Sequence, residues 1–361
     1  MKIKSLKLKN FRNYELLNLE FDEATNIFYG DNAQGKTNIL EALYLCGTTK
    51  SHRGTKDRDM IQFGMDESHL EIIVDKNGLD YQIDMHLKKN SAKGIAINKI
   101  PIRKASELFG IVNIVFFSPE DLNIIKNGPA ERRRFIDLEL SQLDKVYLNN
   151  LSNYNKIINQ RNHLLKEMDY NNKAAATLEI WEMQLVDYGN KIIQRRKQFI
   201  EQINEIVSSI HTNLTGGREN IQLVYEPSNG NMSLEEALLK NRERDMKIKS
   251  TSVGPHRDDI CFMADDLDIR KFGSQGQQRT AALSLKLSEI ELVKKVIHNK
   301  PILLLDDVLS ELDKHRQNYL LDSIDDIQTL ITCTGVDEFV NHRFSINKIF
   351  HVHQGQVTRE N

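Results

Sequence analysis

The stretch of sequence that decides the fold is IFYGDNAQGKTNILEAL, residues 27–43. A short apolar run leads into a loop bounded by Gly30 and Gly35, and the loop opens a predicted helix. This order of strand, GxxxxGK[ST] loop and helix is the Walker A pattern. The two glycines allow the backbone to turn its N–H groups inward, where they and the helix N-terminus favour phosphate oxygens. The sequence therefore predicts a nucleotide-binding site.

The residue types of this loop also predict how the nucleotide is held. Lys36 is expected to reach the β- and γ-phosphates, and the Thr37 hydroxyl is expected to hold Mg²⁺, a hard cation that prefers oxygen ligands. We assign ATP binding to the loop and the first helical residues, namely Gly30, Asp31, Asn32, Ala33, Gln34, Gly35, Lys36, Thr37 and Asn38.

Composition restricts the class of protein. The chain has 361 residues, of which 40% are apolar and 28% charged, as in ordinary globular proteins. No apolar run approaches the length of a membrane span, and lysines interrupt the apolar residues at the N-terminus, so we expect a cytoplasmic protein with no membrane contact. The three cysteines lie far apart without a CxxC pair, which argues against a zinc or disulfide framework. Because the net charge is only −2, nucleic-acid binding would require local basic patches.

Hydrophobic periodicity divides the chain into three parts. Two strands are predicted in the first twenty residues, and period-two alternation from Leu70 to Ile102, with a turn at Asn77-Gly78, predicts an antiparallel meander. From about Pro119 to Leu214 the period becomes helical, with a polar break at Asn171-Asn172. The predicted domains are an N-terminal lobe with the Walker A loop, a helical arm and a C-terminal lobe, at 1–120, 121–245 and 246–361.

Basic residues that are candidates for DNA contact lie in three places. A polar loop after the Walker helix contains Lys50, His52, Arg53 and Lys56; the predicted arm contains Arg132 with Arg133, and Arg195 with Arg196. The alternative for the loop is a solvated surface loop, and the alternative for both arm clusters is a solvated helix face. The lysines of the first strand have two interpretations as well, protection of a sheet edge or contact with phosphates.

The second half of the predicted site begins at Ser274-Gln275-Gly276-Gln277, just before a long helix. Taken alone, Ser274 and Gln277 are typical of a helix capping box. About twenty-five residues later, however, the apolar run 301–305 ends in Asp306 and Asp307. This is the pattern of a Walker B strand, whose first carboxylate holds Mg²⁺ through water or Thr37.

The order of these motifs is more specific than any one of them. Walker A, Ser-x-Gly-Gln, Walker B and then a loop with Ser310 and Asp313 follow one another as in ABC-type ATPases. We predict an α/β fold, an ABC-type P-loop ATPase head with a mixed sheet, an antiparallel β-meander and an inserted α-helical arm. In such a head the signature Ser274–Gln277 acts in trans on the ATP held by a second copy, so ATP binding and homodimerisation are coupled reciprocally. Asp307 is expected to orient or deprotonate the attacking water, with Lys36 as the other catalytic residue.

Nearly the whole chain resembles the RecF family of bacterial recombination mediator ATPases. Seven segments carry the resemblance. They are NFRNY at 10–14, GDNAQGKT at 30–37, SHR at 51–53, FSPEDL at 117–122, GPHRDD at 254–259, SQGQQR at 274–279 and LDDVLSELD at 305–313. The resemblance implies a Mg-ATP-dependent homodimer that clamps DNA where single strand meets duplex at gaps, acts with RecO and RecR, and helps load RecA. It also adds Arg12 to the predicted ATP-binding residues and implies a weak, DNA-stimulated ATPase.

Two positions depart from the wider ABC pattern. Most ABC-type heads have Asp-Glu where this chain has Asp306-Asp307, and the shorter second carboxylate suggests slow, switch-like turnover as a hypothesis. Thr334 stands where transporter heads often have a γ-phosphate-sensing histidine, and it is a candidate substitute.

Two other functional classes share the Walker motifs. One is the cytosolic ATPase subunit of an ABC transporter, against which the helical insertion, the GPHRDD segment and the missing histidine all count. The other is a regulatory nucleotide switch that never contacts DNA. Salt-sensitive retention on DNA or heparin would argue against the second class, because phosphate contacts weaken with salt.

Overall fold

The computed structural model describes residues 1–167, 174–335 and 346–360. Its backbone divides into two compact units. Unit 1 combines Met1–Asp121 with Glu289–Asn361, and unit 2 is Leu122–Ser288. Residues 246–288, which the sequence predicts as part of the C-terminal lobe, lie in unit 2.

The described residues form a strand-rich N-terminal part, a run of helices from α2 to α5, and a mixed C-terminal part. The strands are β1 (Lys2–Phe11), β2 (Tyr14–Glu20), β3 (Thr25–Tyr29), β4 (Glu67–Lys76), β5 (Leu79–Lys88), β6 (Gly94–Ile97), β7 (Ile100–Pro101), β8 (Ile114–Phe117), β9 (Ile221–Glu226), β10 (Asp259–Ala264), β11 (Leu267–Asp268), β12 (Ile302–Asp306), β13 (Thr329–Cys333), β14 (Lys348–His353) and β15 (Gln356–Glu360). The helices are α1 (Lys36–Thr48), α2 (Leu122–Lys126), α3 (Pro129–Leu143), α4 (Lys145–Glu167), α5 (Ala174–Thr215), α6 (Leu234–Ile248), α7 (Ile269–Phe272), α8 (Gln275–Ile297) and α9 (Lys314–Ile324).

The predicted meander forms the strands β4 to β7 of a six-stranded antiparallel sheet in the order β2-β1-β4-β5-β6-β7. Alternation along β1 buries Leu6 and Leu8 while Lys7 stays exposed. Asn77 and Gly78 both have positive φ, 56° and 79°, which is the backbone of the tight hairpin turn that joins β4 to β5. The meander and its turn are therefore confirmed.

The first strand is not a sheet edge, so edge protection is the wrong explanation for its lysines. It pairs with β2 on one side and β4 on the other. Two of its lysines instead pair with acidic residues of the neighbouring strand β4: Lys7 lies 2.8 Å from Glu71, and Lys4 lies 3.3 Å from Asp75. Opposite charges placed side by side on one face stabilise the pairing of strands.

The second sheet of unit 1 brings together segments that lie far apart in the chain. Its order is β15-β14-β3-β13-β12-β8, and β14, β3, β13, β12 and β8 run parallel. The strand that leads to Asp306 is entirely apolar before that residue, and its leucines are fully buried, as expected for a parallel strand covered on both faces. Because parallel strands end at the same edge, Tyr29 of β3, Cys333 of β13 and Asp306 of β12 finish side by side.

Unit 2 is built on a long helical pair, α4 and α5, as predicted. Arg161 of α4 contacts Glu182 of α5, and Tyr147 of α4 contacts Arg196 of α5, so the two helices run antiparallel. The predicted break at Asn171-Asn172 lies outside the described residues. A three-stranded sheet, β11-β10-β9, completes the unit. Strand β9 lies just beyond the predicted helical region and was not among the strands that periodicity predicts.

Candidate nucleotide-binding site

The Walker A loop joins β3 to α1, and its two glycines occupy positions that exclude a side chain. Gly30 has a φ of 147°, and a Cβ there would lie 2.3 Å from the carbonyl oxygen of Val352. Gly35 has a φ of 113°, and a Cβ there would lie 2.4 Å from Nδ2 of Asn13. The glycines are required because the backbone turns back on itself and packs directly against other chain segments.

Lys36 spans the loop from the first turn of α1. Its ammonium group donates to the carbonyl oxygens of Gly30 at 2.5 Å and Asp31 at 2.8 Å. Burial lowers its pKa, and the charge of Asp307 is the largest of the contributions that oppose the shift. Asp31, Asn32 and the left-handed Ala33 (φ 64°) leave the outer side of the loop exposed. A cation therefore lies beneath a backbone loop that is open to an anionic ligand.

Walker A and Walker B meet at a shared carboxylate oxygen. The hydroxyl of Thr37 donates to Oδ1 of Asp306 at 2.7 Å, and the hydroxyl of Thr332 donates to the same oxygen at 2.7 Å. Burial raises the pKa of Asp306, against the two hydrogen bonds that lower it. These hard oxygens, clustered beside the lysine, are the donor set that Mg²⁺ prefers. The predicted metal ligands Thr37 and Asp306 thus fit the metal.

Thr332 is a site residue that the motif analysis missed. It lies on β13, between the Walker A strand and the Walker B strand, and it is 2% exposed. Its hydroxyl also accepts a hydrogen bond from the backbone N–H of Asp307 at 3.1 Å. The signal in the sequence was a threonine near the end of the mainly apolar run 329–333 (TLITC).

Asp307 adopts a left-handed backbone conformation, with a φ of 52°. Non-glycine residues adopt this conformation rarely, and such residues concentrate at functional sites. The hydroxyl of Ser310 donates to the carbonyl oxygen of Asp307 at 2.8 Å. Asp313 caps α9 by accepting from the backbone N–H of Arg316 at 3.0 Å. Both predicted residues of the loop after Walker B, Ser310 and Asp313, are exposed.

Residues 10–14 brace the Walker A loop from the turn between β1 and β2. Asn13 donates to the carbonyl oxygen of Gln34 at 3.0 Å and accepts from the side chain of Asn38 at 2.8 Å. The hydroxyl of Tyr14 donates to the carbonyl oxygen of Gly35 at 3.1 Å. This contact set gives the NFRNY segment a structural role that the sequence motif alone did not specify.

Arg12, a predicted ATP-binding residue, forms a two-pronged ion pair with Glu41 of α1. Both guanidinium–carboxylate distances are 2.8 Å, and the Glu41 side chain is fully buried. Burial raises the pKa of Glu41, but the bonds from Arg12 and Ser51 outweigh it and hold the pKa below its usual value. Arg12 thus anchors the Walker helix, and any contact with ATP remains a prediction.

The signature segment lies in unit 2, at the start of α8. Ser274 and Gln277 form the capping box: Gln277 N donates to the Ser274 hydroxyl at 3.2 Å, and Ser274 N donates to Oε1 of Gln277 at 2.8 Å. The side chain of Gln277 also donates to Glu219 at 3.1 Å. Ser274, Gln275 and Gly276 are exposed, so this helix N-terminus is open to a ligand or a second copy.

The structure separates the basic DNA-binding candidates into two groups. Lys50, Arg53 and Lys56 are exposed, and His52 is half-buried where its ring stacks on Phe116.

The structure corrects the prediction that the arginines of the arm contact DNA. Arg132 is 4% exposed and pairs with Asp259, and Arg196 is 1% exposed and pairs with Asp137. Buried, ion-paired guanidinium groups are unavailable to DNA. Their neighbours are also engaged, since Arg133 donates to the backbone carbonyl of Asp258 and Arg195 pairs with Asp144. The remaining candidate, Thr334, is exposed directly after β13.

The GPHRDD segment forms an internal polar junction of unit 2. Asp259 pairs with Arg132 and Arg270, and Asp258 accepts from the hydroxyl of Tyr225. His256 lies between the Tyr154 hydroxyl, 2.9 Å from Nδ1, and the Thr251 carbonyl, 3.0 Å from Nε2. A carbonyl only accepts, so Nε2 carries the proton and Nδ1 accepts from the tyrosine, which is a fully satisfied neutral imidazole.

Acidification is expected to destabilise unit 2 through His256. Burial, with further contributions from Arg257, Arg133 and Arg196, lowers the pKa of His256 from 6.5 to about 4. Between these two values the unfolded chain binds a proton that the folded chain does not, so stability falls as pH falls from 6.5 to 4. The full loss in the free energy of unfolding is about 3 kcal/mol. Urea midpoints at pH 7, 5.5 and 4.5 measure it, and His256→Gln should flatten this part of the pH dependence. An equally steep dependence in the variant would contradict the assignment.

Comparisons with known proteins agree with this geometry. The family model described as the RecF/RecN/SMC N terminal domain matches residues 2–358. A relative from Agathobacter rectalis, named DNA replication and repair protein RecF, is 66% identical over 357 residues, covering 99% of both chains. A relative of the same name from Lachnospira eligens is 63% identical over 363 residues, covering 100% of both.

Solved structures extend the comparison to the fold. The recombination mediator protein RecF-ATP in the RecFOR pathway has a TM-score of 0.93 at 36% identity, covering 100% of this chain and 98% of that one. The Smc head domain of Pyrococcus furiosus has a TM-score of 0.58 at 17% identity, covering 99% and 96%, and shows the fold alone. The predicted ABC-type ATPase head is confirmed. The chain belongs to the RecF family, among the proteins that share the RecF/RecN/SMC N-terminal domain.

Proposed function

We propose that this chain is an ATP-dependent DNA clamp of recombinational gap repair. The observation that carries the proposal is the meeting of Walker A and Walker B at Asp306, where the Thr37 hydroxyl lies 2.7 Å from the carboxylate oxygen. A lysine, a hydroxyl and a carboxylate so placed suit a Mg-nucleotide. The RecF names of the relatives, which refer to DNA replication and repair, and a related structure described as RecF-ATP support the same role.

ATP would be held by the loop from Gly30 to Asn38. Its backbone N–H groups and the N-terminus of α1 would receive the phosphates, and Lys36 would contact the β- and γ-phosphates. Thr37 and Asp306 would hold Mg²⁺, which supplies charge neutralisation at the phosphates when bound. Thr332 would fix the orientation of the Asp306 carboxylate through their 2.7 Å hydrogen bond.

The site is completed by a second copy of the chain. The exposed N-terminus of α8, with Ser274–Gln277, would contact the γ-phosphate held by the partner, so that ATP joins two heads in a homodimer. Ser310 and Asp313 would lie at the same dimer interface. Glu219 supports this role, because its bond to Gln277 holds one signature side chain in place.

Hydrolysis to ADP and phosphate would open the dimer and reset it. Asp307 is the proposed base for the attacking water, held in its left-handed conformation by two hydrogen bonds to Thr332. Its side chain is one methylene shorter than glutamate, which fits slow turnover. DNA would stimulate the rate by stabilising the closed dimer.

The proposed DNA surface comprises the exposed basic side chains of the loop after α1, Lys50, Arg53 and Lys56. Such side chains contact phosphates and carry no base-specific information, so we expect recognition of shape at gaps rather than of sequence. Duplex and single-stranded DNA, RecO, RecR and RecA are the proposed partners, and the cytoplasm is the proposed location. Within the described residues, no helix combines the length and apolar character required to span a bilayer.

Fluorescence anisotropy of a labelled gapped duplex tests this proposal. With Asp307→Asn to stall hydrolysis, ATP should tighten DNA binding at least about tenfold relative to ADP. Ser274→Arg should remove that gain while leaving binding of a fluorescent ATP analogue intact, because the signature acts only on the partner's nucleotide.

Ser233→Arg is the matched control, because Ser233 forms the same kind of exposed capping box at the start of α6. It should retain the ATP-dependent gain. If DNA binding is absent, or equally strong with ATP and ADP, the DNA clamp is contradicted. The nucleotide switch without DNA contact would then be the better interpretation.

A further inference from the structure

A cluster of two histidines and a glutamate lies on the antiparallel sheet of unit 1, outside the nucleotide site. His69 of β4 and His86 of β5 are directly opposite in the strand register, and their rings stack with centroids 3.8 Å apart. Nε2 of His86 lies 2.9 Å from one carboxylate oxygen of Glu67, and Nε2 of His69 lies 3.8 Å from the other. The ligand atoms of the three side chains all lie within 4.8 Å of one another.

The cluster is accessible from solvent. Its side chains are 48%, 29% and 55% exposed for His69, His86 and Glu67. The two histidines line a groove of about 470 Å³ on this face of the sheet, together with the carboxylates of Glu71 and Asp84. An ion can therefore reach the site, and three protein ligands leave room for water as a fourth.

We propose that Glu67, His69 and His86 bind a transition-metal ion of the zinc class. Imidazole nitrogens and a carboxylate oxygen are zinc ligands, and three protein ligands with one open position form a common zinc arrangement. Tetrahedral bonds of about 2.0–2.1 Å place ligand atoms about 3.3 Å from one another, so pairs that now lie within 4.8 Å need to close by at most about 1.5 Å. Exposed side chains on a rigid pair of strands can make this adjustment by rotation alone.

The electrostatic surroundings are compatible with a cation. Of the charged neighbours, Lys9 and Lys88 oppose a metal, since Lys88 is the register partner of Glu67. Glu71 and Asp84 favour one, although Glu71 is already paired with Lys7. Because Mg²⁺ prefers all-oxygen sites, this cluster and the Thr37–Asp306 pair should select different metals.

The position of the site predicts what a bound ion would do. Glu67 and His69 begin β4, and His86 lies near the end of β5, at the end of the hairpin opposite the Asn77-Gly78 turn. The turn joins β4 and β5 at one end of the hairpin, and the metal would link the two strands at the other end. Binding to the folded chain alone would raise the apparent melting temperature.

Isothermal titration of the full chain with ZnCl₂, without nucleotide, tests the proposal. The wild-type chain should bind one zinc ion, and His86→Asn should weaken binding at least about tenfold, since even changes next to a metal ligand cost about 10- to 100-fold. Zinc should raise the melting temperature of the wild type and not that of the variant.

His163→Asn is the matched control. His163 also lies beside a glutamate, 3.4 Å from Glu167, but this pair is more exposed and belongs to no three-residue cluster among the described residues. It should bind zinc as the wild type does. Should His86→Asn fold poorly without metal, Glu67→Gln carries the same test, because Glu67 is 55% exposed. Wild-type zinc affinity in His86→Asn or Glu67→Gln, or no zinc binding by the wild type at 100-micromolar concentration (about 5 kcal/mol of binding free energy), would overturn the proposal.

Discussion

Replacement of Lys36 by alanine is expected to lower the rate of ATP hydrolysis at least about 100-fold, the loss typical of removing one preorganised charge-stabilising donor. Lys36 is 7% exposed, and its ammonium group is held by two carbonyl oxygens of the loop, Gly30 and Asp31, so its position does not depend on a bound ligand. In the proposed mechanism this charge would therefore already be in place where negative charge develops on the transferred phosphoryl group. Steady-state phosphate release without DNA measures the effect.

Lys50→Ala is the control for loss of a lysine near the same helix. Lys50 is exposed and lies just beyond the C-terminal end of α1, so its loss should leave DNA-independent hydrolysis unchanged. Circular dichroism and melting should show that Lys36→Ala is folded. Retention of more than about a tenth of the wild-type rate by Lys36→Ala would show that the loop lysine is not the principal charge-stabilising group.

Replacement of Arg161 by alanine is expected to destabilise the protein by about 3–5 kcal/mol, the cost of leaving a buried charge without its partner. Arg161 is fully buried on α4 and bonds to Asp245, Glu182 and Thr251 at 2.8, 2.8 and 2.9 Å. Asp245 is itself fully buried, so the substitution leaves its carboxylate in the interior without a cation. The free energy of unfolding from urea denaturation measures the loss.

The control for this substitution is Lys191→Ala on α5. Lys191 also forms an ion pair, 2.7 Å from Asp187, but the two side chains are 50% and 58% exposed. Exposed ion pairs contribute less than about 1 kcal/mol to stability, so the free energy of unfolding of this variant should be close to that of the wild type. Equal losses in the two variants would mean that burial does not determine the contribution of these pairs.

The parts of the fold and site that depend on residues close together in sequence could be predicted from the sequence. The Walker A loop, the Asn77-Gly78 hairpin and the apolar strand ending in Asp306 each carry their signal within a few residues. The capping box at Ser274 was equally local, and its hydrogen bonds form as predicted. Its action on a second copy's nucleotide concerns an assembly and remains a proposal.

Features that depend on distant partners could not be predicted in this way. Arg132 and Arg196 are part of basic runs that are typical of solvated or DNA-binding helix faces, but their acidic partners lie 127 and 59 residues away in sequence. Thr332 meets Asp306 across 26 residues because two parallel strands end together. In each case the information lies in the packing of the elements, which periodicity does not specify.

A mixing experiment tests most directly whether the ATP site is shared between two copies. Lys36→Ala removes the Walker A function and Ser274→Arg removes the signature function, so each variant alone should be inactive in ATP hydrolysis. In a head-to-tail dimer of one variant with the other, one site combines the intact Walker A loop of one copy with the intact signature of its partner. An equal mixture should therefore recover about one quarter of the wild-type rate, since half of the dimers are mixed and each has one of two sites intact. A mixture no more active than the separate variants, or full activity of Ser274→Arg alone, would contradict a shared site.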